Sequence, residues 1–273
     1  MKFPKVFPTN DHFKVTMYAN FLLGVWPFVF EDSPRLRKLY AFYANFTFLY
    51  YLLFILSAYV KLFMLIFDKE FKVKEIMSNI CITLLYSITI IRVYAIRTER
   101  IKKLIREVMD VEQLIYDSED EELIDIYRDY THQSQVSNIT FLVNIVMETI
   151  FYFLHPLYHD KIEEFDAATN QTTIIKVLPL SSWIPYDEQK HYLISYLWNI
   201  LDGCIGASYV MYTDIFAFSL IIFPLGQIKI LMYILRNFGK YVEKIRKQLG
   251  CDRDEASFLT VRECILKQKD IIR

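Results

Sequence analysis

Four long apolar stretches, with basic residues sorted to one side of them, constrain this 273-residue chain more than any other feature. The first, 39–60, runs 22 residues without a charge and stays apolar past Lys61 to Phe67. The second occupies 76–91 and continues beyond Arg92 to Ile96. The third, 136–158, carries one charge, Glu148; the fourth, 192–225, carries two, Asp202 and Asp214. A helix crosses the hydrocarbon core in about 20 residues, so each stretch can span, the second only just. The chain is therefore expected to be an all-α polytopic membrane helix bundle.

Charge sorting predicts its orientation. The N-terminal 38 residues, loop 97–135 and the tail after 225 together hold 23 Lys and Arg, whereas loops 68–75 and 157–191 together hold six. Lys and Arg accumulate on the cytoplasmic side, so the N-terminus, loop 97–135 and tail 226–273 are expected inside. Net charge is −1, which leaves no whole-chain argument for nucleic acid. Residues 1–20 lack the apolar core of a cleavable signal peptide, so the first span is expected to act as its own insertion signal. Cys81, Cys204, Cys251 and Cys264 lack metal spacing, and the topology puts two in the membrane and two inside, where no disulfide framework is expected.

The segments between the spans are patterned. LLGVWPF at 22–28 reads as a short amphipathic helix at the inner membrane surface, ended by Pro27, or as a plain structured lead-in to the first span. Residues 97–116 place Ile101, Leu104, Ile105, Val108, Val111 and Ile115 on one helical stripe. Ser118 and Glu121 form a capping-box pattern that starts a second helix from Glu119 into the third span. The basic 97–106 segment beside the membrane and the acidic 117–125 cluster farther out suit anionic inner-leaflet lipid better than catalysis. The basic tail repeats apolar residues at three and four from Ile228 to Ile245, so the fourth helix is expected to project into the cytoplasm, bending near Pro224.

Polar residues within the spans carry the functional signal, because intramembrane carboxylates are costly and face protein or a water-filled cavity. Glu148 shares a face with Asn144, Tyr152 and His155. Trp198, Asp202, Ile205 and Tyr209 form a comparable face on the fourth helix, and Ser78, Ile82, Leu85 and Tyr86 on the second. Together they are candidates for lining an outward-open, largely aromatic cavity suited to small volatile or lipophilic ligands. The alternative is that they only hydrogen-bond between helices. Asp214, deeper on the fourth helix, reads as structural, and Gly203, Gly206 and Ala207 as a surface for close helix approach. His155 and His159 flank Pro156 with no third ligand nearby, and there is no phosphate-binding glycine loop, GxSxG or catalytic Cys/His context, so neither cofactor, metal site nor enzymatic activity is expected. Of three N-x-[ST] sequons, only Asn170 falls in an outer loop where it is open to glycosylation.

The order and spacing of LLGVWPF (22–28), IFYFLHPLY (150–158), LPLSSWIPYD (178–187), YVMYTDIFAFSLI (209–221) and VRECILKQKDIIR (261–273) resemble the insect odorant receptor family over essentially the whole chain. The resemblance implies a seven-helix, odorant-gated, non-selective cation channel subunit, assembled with a common co-receptor in the plasma membrane of olfactory neuron dendrites. It also implies that this chain corresponds to the first four helices, one transmembrane receptor domain without the pore helices, and does not conduct alone. Rival expectations are a complete four-span scaffold or pseudogene product, a membrane enzyme, and a G-protein-coupled receptor fragment, which the inside N-terminus opposes.

Overall fold

The computed structural model describes residues 6–7, 10–68, 73–159, 161–166 and 171–272. The chain is an all-α polytopic bundle. In order come α1 (Lys14–Leu22), α2 (Pro34–Ile66), α3 (Val73–Arg97), α4 (Glu99–Asp117), α5 (Glu121–His159), α6 (Tyr192–Arg236), α7 (Phe238–Leu249) and α8 (Arg253–Ile272). Four of these, α2, α3, α5 and α6, are long and apolar enough to cross a membrane. An antiparallel hairpin, β1 (Lys161–Asp166) and β2 (Gln171–Lys176), lies between α5 and α6 and pairs Lys161 with Lys176. No strand was expected there; Asn170, the candidate glycosylation site, lies outside the described residues.

Local chemistry explains the boundaries. Pro34 opens α2 at a position where its missing N–H costs nothing. α6 runs unbroken through Pro224 to Arg236, a length of roughly 68 Å at 1.5 Å per residue, about twice the hydrocarbon thickness. Two sequence expectations are corrected. Of the two readings of LLGVWPF, the helix is ruled out and the structured lead-in holds: α1 ends at Leu22, and Gly24 turns the chain in the left-handed region at φ 72°. The N–H groups of Val25 and Trp26 then return to Asn20 O at 2.9 and 3.4 Å, and Trp26 is buried rather than interfacial. Only glycine fits this turn, because a Cβ on Gly24 would lie 2.4 Å from Ala44 Cα. The capping box is displaced as well. Ser118 Oγ accepts from Asp120 N at 3.3 Å, and α5 begins two residues later than expected, at Glu121.

The chain divides into two compact units. The first holds Val15–Lys103 and Ile139–Ile215, hence α1 to α3, the hairpin, and parts of α5 and α6. Arg97 ties it together: its guanidinium donates to Ala44 O at 3.0 Å and Gly24 O at 3.4 Å and lies 4.7 Å over the Phe48 ring. Asp214 pairs with Arg92 of α3, the interhelical role its sequence position suggested.

The second unit holds Asn10–Lys14, most of α4, the remainder of α5 and α6, α7 and α8. Ile115, Leu123, Tyr127, Ile230, Ile234, Tyr241 and Cys264 form its core. Lys244 and Tyr241 donate to Asp120 at 3.0 and 3.3 Å. Burial pushes that carboxyl up, but these donors and the Leu123 N–H hold it below its ordinary value. The segment before α1 docks here too. Glu112 accepts from Asp11 N at 2.7 Å, His12 N at 3.1 Å and the Tyr127 hydroxyl, while the His12 ring meets Ser219 O at 2.8 Å.

Candidate ligand-binding site

The interior of the first unit centres on an aromatic stack, with Asn79, Thr83, Thr89, Asn199 and Asp202 among the polar side chains buried around it. Tyr51 of α2 and Tyr209 of α6, both fully buried, stack with centroids 4.4 Å apart, an arrangement worth roughly 0.5–1.5 kcal/mol beyond the area it buries. Tyr86 of α3 meets Tyr51 edge-on at 6.2 Å and Phe54 at 5.4 Å. The two stacked rings place their hydroxyls on backbone carbonyls: Tyr51 donates to Tyr86 O at 3.0 Å and Tyr209 to Leu23 O at 3.2 Å. Two glycines of α6 make the approach possible. A Cβ on Gly206 would lie 2.7 Å from Tyr86 Cζ, and one on Gly203 2.1 Å from Phe153 Cζ. The close-approach surface expected from Gly203 and Gly206 is present, with α3 and α5 side chains filling it.

Beside this stack sits a buried carboxylate. Asp202, 3% exposed, accepts from the Tyr50 hydroxyl at 2.6 Å, and the Tyr50 and Trp198 rings lie 6.4 Å apart. The site therefore combines flat aromatic walls with one strong acceptor.

The segment carrying LPLSSWIPYD folds onto the helices as a plug. Leu180 N donates to Asn199 Oδ1 at 2.8 Å, Trp183 N to Ser57 O at 3.1 Å, and Asn79 Nδ2 to Ser181 O at 2.6 Å. The Tyr152 hydroxyl holds Pro179 O at 2.7 Å, and Lys61 pairs with Glu188 at 3.2 Å. Under the plug, Phe54, Asn79, Ile82, Thr83 and Ser182 help line a cavity of about 10 Å³, room for about one water. The buried Ser182 Oγ, which has no hydrogen-bond partner among the described residues, is suited to hold it.

Against known proteins, residues 72–273 match the family model described as 7tm odorant receptor. The chain belongs to the odorant receptor family. No curated protein gives a match. The matched region covers three of the four candidate spans, the plug and all of the second unit except Asn10–Lys14.

In this odorant receptor, the ten residues singled out from sequence fall into two groups. Tyr86 and Tyr209 are buried within the stack and Asp202 is buried beside it, with Ile82 and Ile205 half-buried. Ser78, Glu148, Tyr152, His155 and Trp198 are exposed on the helices of this unit; Tyr152 reaches the plug and Trp198 faces Tyr50. Glu148 is not brought to the Asp202 cluster by any described hydrogen bond or ion pair, and its position on α5 belongs to a span that is largely uncovered. Sequence reasoning missed Tyr50, Tyr51, Asn79 and Asn199. The two tyrosines sit in a charge-free, aromatic-rich apolar run, FLYYLLF at 48–54, with no polar spacing to mark them. Asn79 was visible, one position along from Ser78 on the buried side of α3.

Proposed function

We propose that the first unit of this odorant receptor family member holds small volatile or lipophilic odorants against the face formed by Tyr86, Trp198, Asp202 and Ile205, with Ser78, Ile82, Glu148, Tyr152, His155 and Tyr209 completing the surroundings. The family match over 72–273 carries this reading. The chemistry agrees with it: aromatic and aliphatic walls bind by excluded water, and a single tyrosine-held carboxylate accepts from, and so orients, a ligand hydroxyl. A cavity for one water leaves a ligand no room unless side chains move, so binding on the proposed face displaces its exposed aromatics, Trp198 and Tyr152.

The finer reading is that a full-length, seven-span form assembles with a co-receptor subunit and gates a cation channel in the plasma membrane of olfactory neuron dendrites. The N-terminus is cytoplasmic and inner-leaflet lipid contacts the basic segments, as the 23-to-six distribution of Lys and Arg supports. The test is whole-cell recording from cells expressing this chain alone, the co-receptor alone, and both. Odorant-evoked current from the pair that exceeds the co-receptor alone supports the gating reading. Cation current from this chain without a co-receptor contradicts it.

A further inference from the structure

Within the second unit a buried polar strip runs between α5 and α6. The two helices are antiparallel there: Asn138 donates to Ser219 Oγ at 3.0 Å, and farther along a Cβ on Gly226 would lie 3.5 Å from Tyr130 Cβ. Between those rungs α5 presents Thr131, Ser134 and Asn138 at steps of three and four, continuing the face that puts Tyr127 in the core. From α6 comes Gln227, one turn before the core residue Ile230. These four side chains and Ser219 are all more than nine-tenths buried.

The segment before α1 meets the same strip. The His12 ring reaches Ser219 O at 2.8 Å, Gln135 Nε2 donates to Asp11 O at 2.7 Å, and Asn10 Oδ1 accepts from Phe13 N at 2.7 Å. Glu112 takes the Asp11 and His12 amides and the Tyr127 hydroxyl. Hydrogen bonds thus lead from Tyr127 through Glu112 and His12 to Ser219 and Asn138, and the ring stays open between Asn138 and Tyr127. Ser134 Oγ, Asn138 Oδ1, Gln227 Nε2 and Asn10 Nδ2 are buried with no partner among the described residues, and Thr131 Oγ1 stands beside the Tyr127 hydroxyl outside hydrogen-bond geometry.

Buried polar groups left dry are costly, so this many in one strip point to a ligand. Their chemistry says which. A cation needs acceptors and an anion needs donors. Here an acceptor (Asn138 Oδ1), two donors (Gln227 Nε2 and Asn10 Nδ2) and hydroxyls that serve as either are mixed. A small molecule that both donates and accepts fits them all, and water is that molecule.

We propose that this strip is an internal water site, in which about two waters bridge Thr131, Ser134 and Asn138 of α5 to Gln227 of α6 and to Asn10. They close the hydrogen-bonded ring that holds the segment before α1 in the second unit. The proposal does not depend on odorant binding.

The test is X-ray hydroxyl-radical footprinting of the whole chain in nanodiscs, read by mass spectrometry. Radicals born from a bound water label the side chains beside it even where bulk solvent does not reach. Tyr127 and His12 are compared, after correction for intrinsic reactivity, with Tyr51 and Tyr209, which are comparably buried in the first unit. Labelling several-fold faster at Tyr127 and His12 is expected, and it should fall to the level of the other two in the T131V/S134A chain. Ser134→Ala alone should lower Tm, because it takes a partner from the water; in a dry strip it removes an unpartnered hydroxyl and raises Tm. Equal labelling of the four side chains in the unaltered chain overturns the proposal, and that result needs no variant to fold. Labelling undiminished in T131V/S134A overturns it in favour of local opening to bulk solvent. A Tm that Ser134→Ala leaves level or raises overturns it too. So does a Tm that rises when sodium replaces choline in the unaltered chain but not in T131V/S134A, which assigns the oxygens to a cation.

Discussion

The ring of Tyr86 lies so close over Gly206 that a Cβ there would meet Cζ at 2.7 Å, and this contact fixes how nearly α3 and α6 approach. Gly206→Ala must therefore push a fully packed aromatic ring, at an expected cost of about 1–3 kcal/mol. Thermal unfolding in detergent should show a clear drop in Tm, partly recovered by combining Gly206→Ala with Tyr86→Leu. Gly239→Ala is the control: nothing lies within 4 Å of its Cβ, and Tm should stay level or rise.

Asp202 depends on Tyr50. Tyr50→Phe removes the 2.6 Å donor from a carboxylate that is 3% exposed, which should destabilise the first unit by about 1–3 kcal/mol. Asp202→Asn in the same background should recover much of that loss. A double-mutant cycle read by thermal unfolding measures the coupling, and additive effects would show that the pair does not interact.

How far the fold was legible follows from periodicity. The four spans were readable because α2, α3, α5 and α6 are apolar over lengths no loop tolerates, and α4 because Ile105, Val108 and Ile115 recur on one face. The turn at Gly24 was not, because LLGVWPF has helix-like composition and only the close approach of Ala44 shows why glycine is needed. The same limit applied at the site. Asp202 and Tyr86 stood out as polar groups in apolar surroundings, whereas Tyr50 and Tyr51 were hidden in an aromatic-rich run, and only packing shows which of those rings face inward. The plug was legible as a motif but not as a structure, since its hydrogen bonds to Asn79, Asn199 and Ser57 connect distant parts of the chain.

Glu112 anchors the segment preceding α1. Burial pushes its carboxyl above the ordinary 4.5, and the Tyr127 hydroxyl and the N–H groups of Asp11 and His12 offset only part of that rise. The folded state thus keeps a proton that the unfolded chain has released. This contribution is full below pH 4.5 and is lost as pH rises through the elevated folded value. His12, lowered by burial against the opposing pull of Ser219 O, has the opposite slope: its contribution is full above 6.5 and is lost as pH falls through its folded value. Glu112→Gln should remove the first slope and leave the second in a stability–pH profile. Glu112→Ala should speed hydrogen exchange at the Asp11 and His12 amides.

Asn170 tests the orientation. With the N-terminus inside, loop 157–191 is outside and the Asn170-Gln-Thr sequon is open to glycosylation in a eukaryotic membrane. An electrophoretic shift removed by glycosidase and absent from Asn170→Gln is expected. A glycan at an engineered site in loop 97–135 would invert the topology.

The most direct test of the central claim is equilibrium binding of a panel of volatile esters, alcohols and terpenes to this chain in nanodiscs, read by tryptophan fluorescence against empty nanodiscs. Saturable binding is expected for some of the panel, with the signal lost in Trp198→Phe and affinity reduced about tenfold or more in Asp202→Ala for hydroxyl-bearing ligands. Partition indistinguishable from empty nanodiscs across the panel, from a chain that unfolds cooperatively, would contradict the claim that the first unit is an odorant site.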